Sequence, residues 1–182
     1  GEAPLNVLTA LSDLEPPRGR FQVVRGPDAG TGAGPLGIVD YAHTPDALKN
    51  VLGTIGEVNR AGRVITVVGC GGDRDRSKRP VMARIAAEMS DLVVLTSDNP
   101  RSEDPQTIIH EMRVGLVQAD QQRVFVNADR REAIRMAVGM AKTGDVVLVA
   151  GKGHETYQEV KGVKHPFDDA AVLRETLELM HK

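Results

Sequence analysis

The stretch from Val64 to Gly72 has the sequence VITVVGCGG, and it decides the fold class. Its first five residues are apolar or β-branched throughout, which is typical of a strand buried on both faces of a sheet. The glycines that follow predict a turn at the end of this strand. An amphipathic pattern over residues 80–89 then predicts a helix. A buried strand that passes through a glycine turn into a helix is the repeating unit of a parallel sheet covered by helices.

The same unit recurs along the chain after residue 37. Further strands are predicted at 37–42, 92–96, 124–126 and 146–150, and further helices at 45–59, 105–117, 131–142 and 169–180. This alternation predicts a doubly wound, Rossmann-like α/β domain with a mostly parallel sheet. Ligands of such sheets bind at the carboxyl ends of the strands. The loops after Val68, Thr96 and Ala150 therefore form the predicted functional rim.

Polar residues at the predicted helix starts support these bounds. Thr44 precedes Pro45, which is the order of an N-cap followed by a proline at the first helical position. Asp168 or Asp169 is predicted to cap the last helix. Such side chains accept hydrogen bonds from backbone N–H groups that the helix itself leaves free.

The first 36 residues follow a different pattern. Residues 4–14 have helical spacing and residues 21–24 are predicted as a strand. Residues 26–37 are rich in Gly and Pro and lack an apolar pattern, so a mobile loop is expected there. We therefore place a domain boundary between residues 36 and 37, with a compact domain at 37–182.

Composition excludes several classes of protein. The net charge is -2 and no long basic run is present, which argues against a nucleic-acid partner. No apolar stretch is long enough to predict a membrane span, so no membrane association is expected. The single cysteine, Cys70, cannot form an internal disulfide, and a reducing compartment, the cytoplasm, is the expected location.

Two polar segments follow the first two strands of the predicted domain. DYAHTP, residues 40–45, brings Asp40 and His43 to a helix start, where either a phosphate or ribose contact or simple helix capping is possible. GCGGDRDRSKRP, residues 69–80, combines glycines with charges that either grip an anionic ligand or are merely solvated. Cys70 is expected to pack at the strand end and not to act as a nucleophile.

Two further segments end later strands. In DNPR, residues 98–101, a guanidinium at Arg101 can bind a carboxylate through two hydrogen bonds and Asp98 can bind an ammonium, although a plain Asn-Pro turn is also possible. In GKGHE, residues 151–155, the spacing of a Walker phosphate loop is absent and Glu155 can bind a second ammonium. His154 has no partner at metal-ligand spacing, so no metal site is expected. The residues alone thus indicate a rim that could bind a small zwitterion, with a nucleotide as a further possible ligand.

The segments DYAHTP, GCGGDRD, DNPR and GKGHE, in this order and spacing, resemble the C-terminal domain of the Mur ligases, and within them the diaminopimelate-adding branch. The similarity extends from about Asn6 to the C-terminus. For meso-diaminopimelate, the resemblance implies contacts by Arg74, Asp98, Asn99, Pro100, Arg101, Gly151 and Glu155. For ATP, it implies contacts by Arg20 and His43, and more weakly by Asp40. No residue of this chain is expected to be catalytic or to bind a metal.

The family resemblance also implies a reaction. ATP and magnesium serve to phosphorylate the D-glutamate carboxylate of the substrate UDP-N-acetylmuramoyl-L-alanyl-D-glutamate, and the amine of diaminopimelate then displaces the phosphate, in peptidoglycan biosynthesis. Residues 1–36 correspond to the tail of the family's central ATPase domain, and the GTNGKT-type phosphate loop is not in this sequence. The chain by itself is therefore expected to bind the amino acid, to hold ATP and magnesium at most weakly, and not to catalyse ligation.

Two alternatives remain at this point. A folylpolyglutamate synthase would share the C-terminal architecture, but it is not expected to carry DNPR or GKGHE in this form. A stand-alone small-molecule-binding domain without catalysis is also compatible with the sequence. A GTNGKT-type loop in the sequence preceding Gly1 would favour the ligase over the stand-alone domain.

Overall fold

The computed structural model describes residues 17–26, 34–59 and 62–180. The helix predicted at 4–14 lies outside these residues. So does most of the Gly- and Pro-rich segment 26–37, for which a mobile loop is expected. No helix in the described part of the chain is long and apolar enough to cross a membrane.

The described residues form strands and helices in the predicted alternation, followed by a hairpin and a last helix. In chain order they are β1 (Gln22–Val24), β2 (Leu36–Asp40), α1 (Pro45–Val58), β3 (Val64–Cys70), α2 (Lys78–Met89), β4 (Leu92–Ser97), α3 (Pro105–Arg113), a 3-10 helix (Gln118–Gln122), β5 (Val124–Val126), α4 (Arg130–Met140), β6 (Val146–Ala150), β7 (Tyr157–Val160), β8 (Val163–Pro166) and α5 (Asp169–Leu179).

Six strands form one sheet in the order β1-β2-β6-β3-β4-β5. The pairs from β2 to β5 are all parallel, and only β1 runs antiparallel to its neighbour. Helices α1, α2 and α3 pack on one face around Leu52 and Met82, and α4 and α5 pack on the other around Ile134 and Leu173. The doubly wound α/β fold is therefore confirmed.

Burial explains why the opening stretch lacks a polar pattern. All seven residues of β3 are buried, because Val68 faces the core under α1 to α3 while Ile65 and Val67 face the core under α4. A strand covered on both sides must be apolar at consecutive positions. Such a strand lies at the centre of the sheet, between β6 and β4.

Most predicted bounds hold within a few residues, and the exceptions have local causes. Thr44 and Asp168 cap their helices, as expected. Strand β3 continues to Cys70 because residues 69 and 70 still pair with β4. Helix α3 ends at Arg113 and not at 117, because Gly115, a poor helix former, follows its C-cap Val114.

The hairpin β7–β8 was not predicted from the sequence. Its two strands pair through a tight turn at Lys161 and Gly162, which both have positive φ angles of 49° and 78°. Type I′ turns with this geometry favour Asn-Gly or Asp-Gly, so a Lys-Gly pair gives a weak signal. The strands are half-buried or exposed throughout, and no buried apolar face marks them.

Strand β1 lies before the boundary placed between residues 36 and 37 and is nevertheless part of the sheet. Val23 pairs with Ile38 in β2, and Val24 is buried in the core beneath α5. Residues 22–24 thus belong to the same folded unit as the residues after 37. The assignment of residues 1–36 to the tail of another domain stays a prediction.

A buried ion pair joins the two helices on one face of the sheet. Arg130 at the start of α4 and Asp169 at the start of α5 are both fully buried, and two hydrogen bonds of 2.8 and 2.7 Å join them. Arg130 also donates to the carbonyl of Ala150 at 3.0 Å, at the end of β6. The pair therefore fixes the carboxyl end of a central strand relative to both helices.

Removing one partner of this pair should strongly destabilise the domain. Asp169→Ala would leave the Arg130 guanidinium buried without its counter-charge, at a cost of about 3–5 kcal/mol in the free energy of unfolding. Urea unfolding followed by circular dichroism measures this change. Glu132→Ala, which breaks only an exposed pair with Arg135, serves as control and should cost less than about 1 kcal/mol. Equal losses for the two variants would contradict the prediction.

Candidate functional site

A cleft of about 500 Å³ opens at the carboxyl ends of β2, β3, β4 and β6. This is the rim that the strand order predicts. A larger cavity of about 590 Å³ lies beside the edge strand β5, but its described lining contains one charged side chain, Arg113, and no carboxylate. The cleft at the strand ends is therefore the candidate site.

The cleft brings together most of the residues predicted to contact a ligand. Those that line it are His43, Arg74, Asp98, Asn99, Arg101, Gly151 and Glu155. Pro100 is buried in the loop behind the cleft and does not line it. Arg20 and Asp40 lie outside the lining as well.

The hairpin β7–β8 holds the loop that contains Arg101. The Arg101 N–H donates to the carbonyl of Glu159 at 3.0 Å, and the Arg101 carbonyl accepts from Lys161 at 2.7 Å. The Gln158 amide donates to the carbonyl of Asp98 at 2.7 Å. Arg101 has a positive φ of 51°, a backbone conformation that these contacts hold in place. The unpredicted hairpin thus orients the DNPR segment.

The glycine loop after β3 is cross-linked to the loop after β4. Gly72 donates its N–H to the carbonyl of Asn99 at 2.9 Å, and Arg101 Nη1 donates to the Gly72 carbonyl at 2.8 Å. The Asp73 carboxylate accepts the Ser102 hydroxyl at 2.6 Å. These contacts connect the two loops at several points, so the groups that they carry keep fixed relative positions.

A buried arginine stabilises this cross-link from below. The side chain of Arg79 is fully buried, pairs with Glu103 at 2.8 Å and Glu111 at 2.6 Å, and donates to the carbonyl of Gly71 at 3.2 Å. Glu103 also accepts the N–H of Asp73 at 2.6 Å. Hydrogen bonds from Arg79 lower the pKa of Glu103 to about 2.

The carboxylate of Asp98 lies in the cleft without a hydrogen-bond donor among the described residues. Asp98 is only 8% exposed, and the Gln158 amide contacts its backbone carbonyl and not its carboxylate. Gly151 faces it with a positive φ of 120°, and a Cβ at that position would lie 2.6 Å from Asp98 Oδ2. Glycine at position 151 is thus required for the carboxylate to occupy this place.

The carboxylate of Glu155 has partners within the cleft. Asn99 Nδ2 donates to Glu155 Oε2 at 2.8 Å, and Lys152 Nζ lies 3.1 Å from the same oxygen. Burial raises the pKa of Glu155, but the hydrogen bonds from Asn99 and Lys152 and the charges of Lys152 and Arg101 outweigh it. The net pKa lies below the usual value, and Glu155 is ionised at neutral pH.

A separate group of aromatic and cationic side chains lies beside the cleft. Tyr41 lies 4.5 Å from His43 and 5.1 Å from His154 between ring centroids, and the Arg20 guanidinium is 5.3 Å from the Tyr41 ring. Arg20 and His43, both predicted to contact ATP, thus lie on one surface. Cationic and aromatic groups suit a nucleotide.

Asp40 does not line the cleft and makes a structural contact instead. Its carboxylate accepts the N–H of Phe21 at 2.7 Å, which fixes the entry into β1. Cys70 packs at the end of β3, as expected, and burial raises the pKa of its thiol to about 12. Within the described ranges, no group of three or more His, Cys, Asp or Glu side chains could hold a metal ion.

Sequence reasoning missed several residues that build the site. Lys152, Arg79 and Glu103 were assigned no role, and Tyr41 was treated only as part of a motif. Arg79 is one of several cations in its segment, and the sequence does not distinguish the buried one from its exposed neighbours Arg74 and Arg76. The glycines around Lys152 are the only signal that its side chain lies next to a ligand loop.

Comparison with known proteins agrees with this geometry. A family model described as the Mur ligase, glutamate ligase domain matches residues 19–153. The chain belongs to the Mur ligase family. The Mur ligase match begins just before β1, in agreement with the place of that strand in the sheet.

Individual Mur ligases are similar over almost the whole chain. The UDP-N-acetylmuramoyl-L-alanyl-D-glutamate–2,6-diaminopimelate ligase of Cytophaga hutchinsonii is 56% identical over 182 residues, which is 100% of this chain and 36% of that protein. The ligase of the same name from Aquifex aeolicus is 49% identical over 177 residues, 97% of this chain and 35% of that protein. The chain spans about a third of the length of these relatives.

Solved structures show the same relationship. A structure of a UDP-N-acetylmuramoyl-L-alanyl-D-glutamate–2,6-diaminopimelate ligase matches 97% of this chain and 34% of its own, with a TM-score of 0.81 and 43% identity. The bifunctional folylpolyglutamate synthase/dihydrofolate synthase of Yersinia pestis covers 85% of this chain and 33% of its own, with a TM-score of 0.61 and 27% identity. The Mur ligase is thus the more similar of the two, which agrees with the DNPR and GKGHE segments.

The stability of this Mur ligase domain should depend on pH through Glu103. Its pKa is about 2 in the folded chain and near 4.5 without the Arg79 contact, so the unfolded chain binds more protons between these values. The stabilisation is complete above about pH 4.5 and is lost as the pH falls toward 2. Urea unfolding over this range should show a smaller pH slope for Glu103→Gln than for the unmodified chain. Identical slopes would argue against the pairing.

Proposed function

We propose that this chain is the amino-acid-binding domain of an ATP-dependent ligase that adds meso-diaminopimelate to UDP-N-acetylmuramoyl-L-alanyl-D-glutamate in bacterial peptidoglycan biosynthesis. The cleft would hold the diaminopimelate and present its amine to the activated substrate. The chain's share of catalysis would be positioning, because holding two reactants in the right geometry removes much of the entropic barrier. The reacting phosphates would be bound elsewhere in the whole protein.

The observation that carries the proposal is a set of opposite charges in the cleft that lack partners of their own. Asp98 has no donor on its carboxylate among the described residues, and the Arg74 guanidinium has only the carbonyl of Asp73, at 3.0 Å. Both line the cleft. A zwitterionic amino acid supplies an ammonium for one and a carboxylate for the other.

The second end of the ligand is matched by Arg101 and Glu155. The side chain of Arg101 is 19% exposed and is held at Nη1 by Gly72, with Glu159 3.6 Å from Nε. Diaminopimelate carries two ammonium groups and two carboxylates, whereas lysine lacks the second carboxylate. With lysine, the half-buried guanidinium would gain no carboxylate partner beyond Glu159, at a cost on the order of a few kcal/mol relative to diaminopimelate. This difference supports diaminopimelate over lysine.

For the nucleotide, the proposal assigns Arg20 and His43 to ATP contacts, next to the ring of Tyr41. The Arg20 guanidinium over this ring is the feature that fits a phosphate-bearing aromatic ligand. Magnesium, which neutralises phosphate charge in such ligases, is not assigned to residues of this chain.

Calorimetric titration with meso-diaminopimelate and, separately, with L-lysine tests the proposed ligand. We expect saturable binding of diaminopimelate and at least roughly tenfold weaker binding of lysine. Arg101→Lys keeps the charge but loses the two-pronged contact, and it should weaken diaminopimelate binding by roughly tenfold or more. Arg135→Lys, on the exposed face of α4, is the matched control and should bind as the unmodified chain does.

Each outcome of the titration has a distinct meaning. Equal binding of the two amino acids would refute the pairing of Arg101 with the second carboxylate. If neither amino acid binds to this chain, the titration is repeated on the whole ligase. Binding of diaminopimelate to the whole ligase would show that the cleft needs the other domains, and no binding would refute the proposed ligand. ATP-dependent ligation by this chain alone would contradict the division of labour proposed above.

A further inference from the structure

A lysine that the proposed function does not use is buried at the floor of the cleft. The side chain of Lys152 is fully buried, in the loop between β6 and β7. Its ammonium lies 3.0 Å from Asn99 Oδ1 and 3.1 Å from Glu155 Oε2. The ring of Tyr157 lies 5.5 Å away. Lysine is rarely buried without a partner, because its charge is costly to remove from water.

These contacts connect two ligand loops through one charge. Asn99 belongs to the DNPR segment after β4, and Glu155 belongs to the GKGHE segment after β6. The Asn99 amide completes the connection, since its Nδ2 donates to the same Glu155 oxygen at 2.8 Å. Both Lys152 and Asn99 thus contact Oε2, and no donor among the described residues contacts Oε1. The Glu155 side chain is 19% exposed.

We propose that Lys152 is a positioning residue, which holds the Glu155 carboxylate charged and oriented so that its second oxygen receives an ammonium group of the amino-acid ligand. That the ligand is an amino acid rests on the proposed function. The effect of Lys152 on the Glu155 carboxylate is a property of the chain itself and does not depend on the ligand. Lys152 would not touch the ligand, because Glu155 and Asn99 already occupy its ammonium.

The charges around Glu155 come from three elements. Lys152 lies on its own loop, Arg101 on the loop after β4, and Arg130 at the start of α4, and all three are positive. Asp98 and the Tyr157 hydroxyl line the same cleft. Burial is the largest single influence on Glu155 and raises its pKa, and Lys152 opposes it both through a hydrogen bond and through its charge. Without Lys152, burial would be opposed only by Asn99 and the more distant guanidinium groups.

Lys152→Met is a suitable variant because it leaves few polar groups without partners. Asn99 Oδ1 keeps the N–H of Glu159 at 2.9 Å, and Glu155 Oε2 keeps Asn99 Nδ2. The methionine side chain is apolar, unbranched and of similar length, so it fits a fully buried position. Lys152→Gln is a second variant, which retains a donor without the charge and serves if the methionine variant does not fold.

The first measurement does not need a ligand. The side-chain carboxyl of Glu155, in carbon-13-labelled protein, is followed by NMR from about pH 8 to about pH 4. In the unmodified chain the carboxyl should take up its proton only below the usual pKa of a glutamate. In the Lys152 variants its pKa should rise, with the larger rise for methionine. A titration that is the same in all three proteins would overturn the proposal.

The second measurement tests the consequence for binding. At neutral pH and below, diaminopimelate should bind Lys152→Met more weakly as the pH falls, by up to roughly tenfold per pH unit below the raised pKa. Binding of diaminopimelate to the unmodified chain should not weaken in this way as the pH falls. Glu155→Gln removes the titrating group and should bind weakly at every pH in this range. Failure of the unmodified whole ligase to bind diaminopimelate would contradict the proposed function, whereas binding with identical pH profiles in the unmodified and Lys152→Met proteins would contradict the role of Lys152.

Discussion

The site depends first on the buried guanidinium of Arg130. It is paired with Asp169 on one side and donates to the carbonyls of Ala150 and Ser97, which end β6 and β4. Burial alone would lower its pKa, but the charge and hydrogen bonds of Asp169 outweigh this effect and raise it. Because a buried charge is costly without its partner, the Arg130–Asp169 pair holds the ends of β4 and β6 against α4 and α5. The loops that carry DNPR and GKGHE begin at those strand ends.

A second buried guanidinium has the same role one loop further along the sheet. Arg79 connects the glycine loop after β3 to Glu103 in the loop after β4. The cations of the rim differ in burial. Arg79, Arg130 and Lys152 are fully buried and paired, whereas Arg74 is exposed and Arg101 is partly exposed with Glu159 as its partner. Arg74 and Arg101 are therefore the cations that the proposal assigns to the ligand.

The strands and their alternation with helices could be predicted from the sequence, because burial on both faces leaves a direct apolar pattern, as in β3. The position of the candidate cleft at the strand ends follows from that alternation. Helix N-caps such as Thr44 could also be predicted from the sequence. The hairpin β7–β8 was not, since neither strand has a buried face and its turn residues Lys161 and Gly162 are weak signals. The roles of Arg79 and Lys152 depend on contacts between loops far apart in the chain, which no local pattern records.

The cleft carboxylate of Asp98 accepts no hydrogen bond from the described residues, but a buried charge acts on it from a distance. Arg130, although hydrogen-bonded to Asp169, interacts electrostatically with both Asp98 and Glu155. One buried positive charge therefore attracts two cleft carboxylates and hydrogen-bonds to neither. The hydrogen-bonding capacity of Asp98 is left for the ammonium group that the proposed ligand would bring.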